Sequence, residues 1–348
     1  MTNAGLRDLK NLKLRFLATP EVNVNDETMR TLREIGLMHA LPCVMGKDGR
    51  PTGPDDVVSA SFYLGDITEA GFKELLAFKN LESLSARETR ITDATLRELK
   101  ALKNLRSLYL YRTGISDAGL REIKELKHLA HLNLNDNRGI TDAGMKELKD
   151  VVSLVSLDIW HTNVTHAGLA ELKNLRRLKH LRISPREATA AMLHTLVEID
   201  LLHALEEARG DPGEPAASAA DIQWLNLSHF RIDDASLADL KHLKNLKTLL
   251  LGGTAVAGPG LTHLKDLKHL EAVFLGDKVT DAEVKHLLEL PALRELQLDG
   301  PGITDACVKE LSSLKNLQAL RLYRTSVTNA GHRKLKAALP KLVIERVK

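Results

Sequence analysis

Aromatic side chains are scarce in this sequence, at 3 % of 348 residues. A core must therefore be built from Leu, Ile, Val and Ala. Cysteine is scarcer still. Cys43 and Cys307 are the only two, which excludes a disulfide framework and makes a reducing compartment the simplest expectation. No run of 18 apolar residues occurs, so no transmembrane helix is expected. The polar start, MTNAGLRDLKNLKL, lacks a secretory apolar region. These features predict a soluble, cytoplasmic protein without a membrane partner. Charge of one sign is not in excess either: 49 basic against 46 acidic residues leave +3. A dedicated nucleic-acid surface carries a marked basic surplus, so no nucleic-acid partner is expected. Also missing are HExxH, CxxC, a P-loop and a dinucleotide-binding glycine motif. The stretch GKDGRPTG lacks both the GKT/S ending and a preceding strand. No metal and no cofactor are expected.

What is present is repetition. LYLYRTGISDAG at 108–119 returns as LRLYRTSVTNAG at 320–331, with seven of twelve positions identical. A period of 24 residues, with 23 or 25 in a few cases, connects repeats starting at Val57, Leu81, Leu105, Leu129, Leu154, Leu178, Ile222, Leu246, Leu270, Leu293 and Leu317. A degenerate repeat starts near Leu12, and LVIERV from Leu342 reads as a last strand. The count is about thirteen strands.

One repeat reads as a strand followed by a helix. In LRSLYLYRT, Leu108 and Leu110 alternate with Ser107, Tyr109 and Tyr111, as a half-buried strand requires. Ser116 then stands where a helix N-cap belongs, and Asp117 follows in the first turn, at the positive helix end. Leu120, Ile123 and Leu126 recur at helical spacing and face inward, whereas Arg121, Glu122, Lys124 and Glu125 face water. Ala118 and Gly119 are small, which predicts a close approach of the helix to the strand layer.

The pattern LxxLxLxxTx[IV][TS]DAGLxxLxxLxx resembles the leucine-rich repeats. More narrowly, it is similar to bacterial 24-residue repeats of the ribonuclease-inhibitor-like and F-box-associated branch. The resemblance covers nearly the whole chain. Its usual ninth-position asparagine survives as Asn137, while Thr89, Thr113, Thr162, Thr254 and Thr325 replace it. A threonine hydroxyl can still bond loop backbone. No single repeat buries its apolar face alone, so neighbours stack into one core. Strands stack about 4.8 Å apart and helices about 10 Å apart. The expected fold is therefore a right-handed α/β horseshoe with a concave parallel sheet and convex helices. Residues 1–348 read as a single domain. The chain starts within a helix half, TNAGLRDLK, without an obvious polar cap, which raises self-association through the N-terminal end.

Two repeats are too long, carrying inserts at 31–56 and 195–221. TLREIGLMHALPCV parallels TLVEIDLLHALEEA, and His39 and His203 lie 164 residues apart. An old duplication of a block of about seven repeats accounts for this. Each insert reads as a lengthened helix and a Gly/Pro-rich loop, either a surface excursion or a rim for a binding site. The RGD at 209–211 is a chance match.

Tyrosine and tryptophan are not scattered. Tyr63, Tyr109, Tyr111, Trp160, Trp224 and Tyr323 all fall on third, fifth or seventh repeat positions, which face the concave surface. Strand propensity explains their absence from helices, but not their absence from inward positions. Tyr, Trp and Arg also dominate binding hot spots. The candidate partner-binding residues are therefore Tyr109, Tyr111, Arg112, His131, Asn133, Asn135, Asp158, Trp160, His161, Arg182, Trp224, Asn226, Tyr323 and Arg324. Asp136 and Arg321 share their repeats, and Glu295, Gln297 and Asp299 lie in the repeat before Tyr323. His131, Asp158 and His161 could be neighbours on adjacent strands, yet no nucleophile stands beside them, so a hydrogen-bonding role is favoured over catalysis. Cys307 takes the place of Gly119 in its own repeat and is expected to be buried. The chain reads as a non-catalytic scaffold for a protein or peptide partner. The F-box-associated resemblance implies an alternative, a substrate-recognition subunit of a ubiquitin ligase or a bacterial effector.

Overall fold

A computed structural model describes residues 3–17, 24–63, 67–210 and 214–347, with the side chains of Asn3 and Tyr63 excepted. The chain forms two compact units, Met1–Arg182 and Ile183–Lys348. In the first, strands β1 (Val44–Gly46), β2 (Val57–Tyr63), β3 (Ser83–Arg87), β4 (Ser107–Tyr109), β5 (His131–Asn133), β6 (Ser156–Asp158) and β7 (His180–Arg182) form one sheet in chain order. β2 to β7 are parallel, and β1 pairs antiparallel with β2. Helices α1 (Asn3–Arg7), α2 (Asp26–Glu34), α3 (Glu69–Glu74), α4 (Asp93–Leu99), α5 (Asp117–Ile123), α6 (Asp142–Leu148) and α7 (His166–Ala170) follow the same order. The second unit has helix α8 (Ala190–Glu198) and strands β8 (Ala208–Arg209), β9 (Trp224–Asn226), β10 (Thr248–Leu250), β11 (Ala272–Phe274), β12 (Glu295–Asp299), β13 (Ala319–Tyr323) and β14 (Val343–Val347), with helices α9 (Val308–Ser313) and α10 (Asn329–Ala338). Its sheet is again sequential, parallel from β9 to β14, with β8 antiparallel to β9.

The described residues thus hold fourteen strands, twelve of them parallel. The expected strand near Leu12 is absent, and that stretch is turn and coil. The two additional strands, β1 and β8, come from the inserts, which were expected as helix and loop. Both inserts run through a nine-residue helix, a left-handed residue (Gly36, φ 78; Asp200, φ 59), a 3₁₀ turn and an antiparallel strand. This shared order matches the duplication read from the sequence. Asp211 of the RGD lies outside the described residues.

The strands alternate as expected. Leu108 and Leu110 are fully buried, whereas Tyr109 and Tyr111 are half-buried on the open face. Between strands and helices runs an aliphatic core in which Leu81, Leu105, Leu129, Leu154, Leu225, Leu249 and Leu296 are all inaccessible. In three repeats of the second unit the helix is replaced by 3₁₀ turns, at Ala235–His242, Pro259–Asp266 and Asp281–Glu289. Leucines three apart, such as Leu237, Leu240 and Leu243, face the core with either winding, because three residues close one 3₁₀ turn.

The ninth-position threonines serve the loops. Thr89, Thr113, Thr162 and Thr254 each donate a hydroxyl bond to the carbonyl three residues back, at 2.8–3.0 Å. Asn137 does more. Its amide donates to the Leu110, Leu134 and Asn135 carbonyls, and its Oδ1 accepts from the Thr113 and Gly114 amides. It therefore ties two successive repeats together.

The aspartate after each N-cap has a further role that spacing alone does not show. Asp93 accepts from the backbone N–H and hydroxyl of Ser116, the N-cap of the next helix, at 2.8 and 2.6 Å. Asp117 holds Thr141, Asp142 holds Thr165, Asp281 holds Thr304 and Asp305 holds Thr328 in the same way. Helix N-termini are thus joined in a ladder. It breaks where Glu69 replaces aspartate, and Thr92 N–H turns to Thr95 Oγ1 instead. The ladder also corrects the expected reason for glycine. A Cβ at Gly119 would lie 2.5 Å from Asp93 Oδ1 and 2.8 Å from Leu96 Cδ1. The close approach is to the preceding helix, not to the strand layer. Gly119→Ala is accordingly expected to destabilise by about 1–3 kcal/mol, although alanine in a helix ordinarily stabilises by about 1 kcal/mol over glycine. A urea midpoint that rises in the variant would refute this packing argument. Cys307 is buried in the corresponding place, as expected. Burial pushes its thiol pKa up. Burial likewise pushes the half-buried Cys43 thiol up to about 12, so both stay protonated near neutrality.

Candidate functional site

In the first unit, parallel register sets the candidate side chains in rows. Tyr109, Asn133, Asp158 and Arg182 are consecutive register partners across β4 to β7. Ser107, His131, Ser156 and His180 form the row beside them. All lie on the face turned away from the helices, because side chains two apart on a strand share a side.

Asp158 is the centre of this face. It is only 8 % exposed. Its carboxylate accepts from Asn133 Nδ2 (2.8 Å), from the Trp160 backbone N–H (3.0 Å) and from Arg182 Nη1 (3.5 Å). The Arg182 guanidinium lies 4.4 Å from the Trp160 ring centre, a cation–π stack that also packs the arginine stem. The Trp160 ring meets His161 edge-on at 5.6 Å. His161 Nδ1 is 3.2 Å from Asp136 Oδ1, and the Tyr111 hydroxyl bonds to Asp136, which raises the tyrosine pKa. Asn135 N–H donates to Asn133 Oδ1 at 3.1 Å. The buried Asn135 Oδ1 has no hydrogen-bond partner among the described residues.

His131, Asp158 and His161 therefore do not bond to one another. Asp158 takes Asn133 and Arg182, His161 takes Asp136, and the exposed His131 stands opposite Ser156. The reason is register: the histidines occupy third and eighth repeat positions, the aspartate a fifth.

The eighth position is unusual in a second way. Glu88, Arg112, Asp136 and His161 in the first unit, and His229 and Arg324 in the second, all adopt left-handed backbone with φ between 50 and 65°. Gly253 and Gly300 fill the same position elsewhere. A non-glycine residue there costs about 1–2 kcal/mol. Arg112 is exposed in the turn after β4. The two Tyr-Arg-Thr copies differ, because Arg324 is held by Asp299 through bonds of 3.0 and 2.6 Å.

Trp224, Asn226, Tyr323 and Arg324 belong to the second unit. They do not meet. β9 and β13 are separated by β10, β11 and β12, or about 19 Å at about 4.8 Å per strand step. Arg87 and Phe274 on the open face were not singled out from the sequence. Arg87 lies 5.5 Å from the Tyr109 ring centre, and Arg321 lies 5.6 Å from the Phe274 ring centre. Arg87 and Phe274 occupy seventh and fifth positions, so the rule that found the tyrosines also finds them. Ser59, Ser61, Ser83, Ser85, Arg87 and Tyr109 line a shallow depression beside this face. A larger polar depression is walled by the insert turn at 46–51 with Arg15, Asp55, Asp56 and Glu82.

Among the described residues no group of three or more His, Cys, Asp or Glu side chains is placed to hold a metal, and no helix is long and apolar enough to cross a membrane.

Two carboxylates give opposite pH signatures. Burial raises the Asp158 pKa, against the pull of the Trp160 N–H and Arg182. The folded state then binds the proton more tightly than the unfolded chain, so this residue's contribution falls as pH rises from the ordinary aspartate value through the raised one. Asp305 is exposed, and its bonds from Thr328 lower its pKa. Its contribution is present above the ordinary value and is lost on acidification through the lowered one. With urea midpoints measured from acid to neutral pH, Asp158→Asn should gain on the wild type as pH rises, and Asp305→Asn should lose. Parallel curves for both would overturn the assignment.

A leucine-rich-repeat family model matches residues 125–149. No curated protein matches by sequence. Among solved structures, an internalin from Listeria monocytogenes is similar over 99 % of this chain and 93 % of its own, at 21 % identity and a TM-score of 0.57. A leucine-rich-repeat protein from Leptospira interrogans is similar over 99 % of this chain and 97 % of its own, at 16 % identity and a TM-score of 0.47. With its 24-residue register, sequential parallel strands and likeness to the internalin, the chain has the leucine-rich-repeat fold, an α/β solenoid.

Proposed function

We propose that the chain is a non-catalytic interaction scaffold whose open sheet face, concave in arrays of this kind, binds a protein or peptide partner. Repeat solenoids characteristically present such surfaces. One observation carries the reading. Every Tyr and Trp with a described side chain, namely Tyr109, Trp224 and Tyr323 on strands and Tyr111 and Trp160 in the turns just after them, is half-buried, and none is in the core. In the first unit these rings stand among arginines, with Arg87 over Tyr109 and Arg182 over Trp160. Aromatic and arginine side chains of this kind are the usual anchors of an interface. The repeat register, which runs on in sequence past both inserts, supports reading 1–348 as one repeat domain. The narrower reading, a substrate-recognition subunit of the ribonuclease-inhibitor-like branch acting in the cytoplasm, rests on the I-T-D phrase and the two unpaired cysteines. Self-association through the N-terminal end is supported by the exposed Leu12 and Phe16, and a monomer mass that is independent of concentration in sedimentation removes it.

The test of the main reading is capture of a partner from native lysate by the wild type and by Tyr109→Ala/Tyr111→Ala/Trp160→Ala, with circular dichroism to show that the variant is folded. Loss of the partner by the folded variant supports the open face. Equal capture removes these aromatics from the account.

A further inference from the structure

The first unit has a second surface with a different character, on the edge where the strands begin. Residues 173–182, KNLRRLKHLR, contain no carboxylate, and Lys173, Arg176, Arg177 and Lys179 are all exposed. Arg106 and Arg294, at the starts of their strands, each pair with an acid on the neighbouring strand, Glu82 at 3.7 Å and Glu271 at 3.8 Å. Lys179 has Val155 as its neighbour instead, bonded backbone to backbone at 2.8 Å. No ion pair joins Arg176, Arg177 or Lys179 to a carboxylate among the described residues.

The turn beside them departs from its copies as well. Lys79, Lys103, Lys127, Arg176, Lys244, Lys268 and Lys315 occupy one repeat position, and the repeat before Arg176 has Val152 there. Val152 is 55 % exposed, one of few large apolar side chains so exposed. A lone apolar residue on a surface needs no explanation. This one replaces a cation within a row of cations, between Lys127 and Arg176, with Val155 beyond it. The nearest acids in sequence are Asp150, two residues before Val152, and Glu171, two residues before Lys173.

We propose that this strand-start edge, from Val152 to Lys179, is a docking surface for an acidic peptide segment carrying one apolar side chain. The carboxylates meet Arg176, Arg177 and Lys179, and the apolar residue covers Val152. Charge complementarity names the occupant, because unmatched cations in a chain of nearly balanced charge attract an acidic partner and speed its encounter. An exposed valine has no counterpart in a phosphate backbone, so a peptide fits better than a nucleic acid. The surface does not depend on the open face of the sheet.

Fluorescence anisotropy tests it, with a labelled short peptide of Asp and Glu around a central Leu, at low and at physiological salt. The full chain should bind saturably and more weakly at higher salt. Arg176→Glu/Arg177→Glu/Lys179→Glu, folded by circular dichroism, should bind roughly tenfold more weakly or worse, since three attractive pairs become repulsive. Val152→Lys, or Ser in place of the peptide's Leu, should weaken binding severalfold. Tyr109→Ala/Tyr111→Ala/Trp160→Ala should leave it unchanged, which separates this surface from the open-face scaffold. If the triple reversal does not fold, Arg176→Gln/Arg177→Gln serves in its place. Absence of saturable binding, or equal binding by the folded charge variant, overturns the proposal. So does tighter binding of an oligothymidylate that is indifferent to Val152→Lys, which would assign the edge to nucleic acid.

Discussion

Asn137→Ala is expected to destabilise the first unit by about 3–4 kcal/mol. The side chain is 1 % exposed. Its removal strands the Thr113 and Gly114 amides and the Leu134 carbonyl, which have no other partner shown, and takes one of two bonds from the Leu110 carbonyl. An unsatisfied buried backbone group costs about 1–3 kcal/mol, so several left together outweigh the small area lost. At about 2–4 °C per kcal/mol for a body of this size, the melting temperature should drop by roughly 6–16 °C. Asn137→Thr is the informative control. Thr89 and Thr162 close their own loops through one hydroxyl bond, so threonine should restore the local bond and lose only the tie to the preceding repeat. It should therefore lie between the wild type and the alanine variant. A change below about 1 kcal/mol for alanine would show that water or a shifted loop satisfies these groups.

The second large effect concerns binding. Once a partner is in hand, Tyr109→Ala/Tyr111→Ala/Trp160→Ala should weaken it about a hundredfold or more, because a single hot-spot aromatic is worth about 2 kcal/mol or more. The effect should exceed that of Trp224→Ala/Tyr323→Ala. Tyr111 and His161 both bond Asp136, His161 meets the Trp160 ring, and Tyr109 lies two strand steps from the Trp160 strand, whereas Trp224 and Tyr323 lie four strand steps apart. Isothermal titration of both folded variants decides it. An unchanged affinity in the first variant would remove the open face of the first unit. A larger loss in the second would move the partner to the other sheet.

The two lessons of the glycine and the aspartate in I-S-D-A-G belong together. From spacing, Asp117 reads as a favourable charge at its own helix end and Gly119 as a small residue near the strands. In the fold, Asp117 holds Thr141 of the next repeat, and Gly119 leaves room for Asp93 of the previous one. Both assignments are contacts between residues 23–26 apart. Nothing within one repeat reports them, although the recurrence of all the phrase's members together hinted that they act as a set. The Glu69 break supports this, since the longer side chain leaves Thr92 to bond within its own turn. His131 and His161 failed as partners of Asp158 for a similar reason. Placement on adjacent strands suggested a cluster, while the register of β5 and β6 sets His131 opposite Ser156 and Asn133 opposite Asp158.

From the amino-acid sequence alone came the period, the alternation that buries Leu108 and Leu110, the N-caps, the threonine loops and the outward placement of the tyrosines and tryptophans. These are local properties, set by side-chain alternation and helical spacing within some two dozen residues. Tertiary structure decided which carboxylate meets which donor, which arginine stacks on which ring, that both inserts add an antiparallel strand, and that Trp224 and Tyr323 stand apart. Such pairings depend on how one repeat is laid against the next, a displacement of a few ångströms that a one-dimensional pattern does not encode.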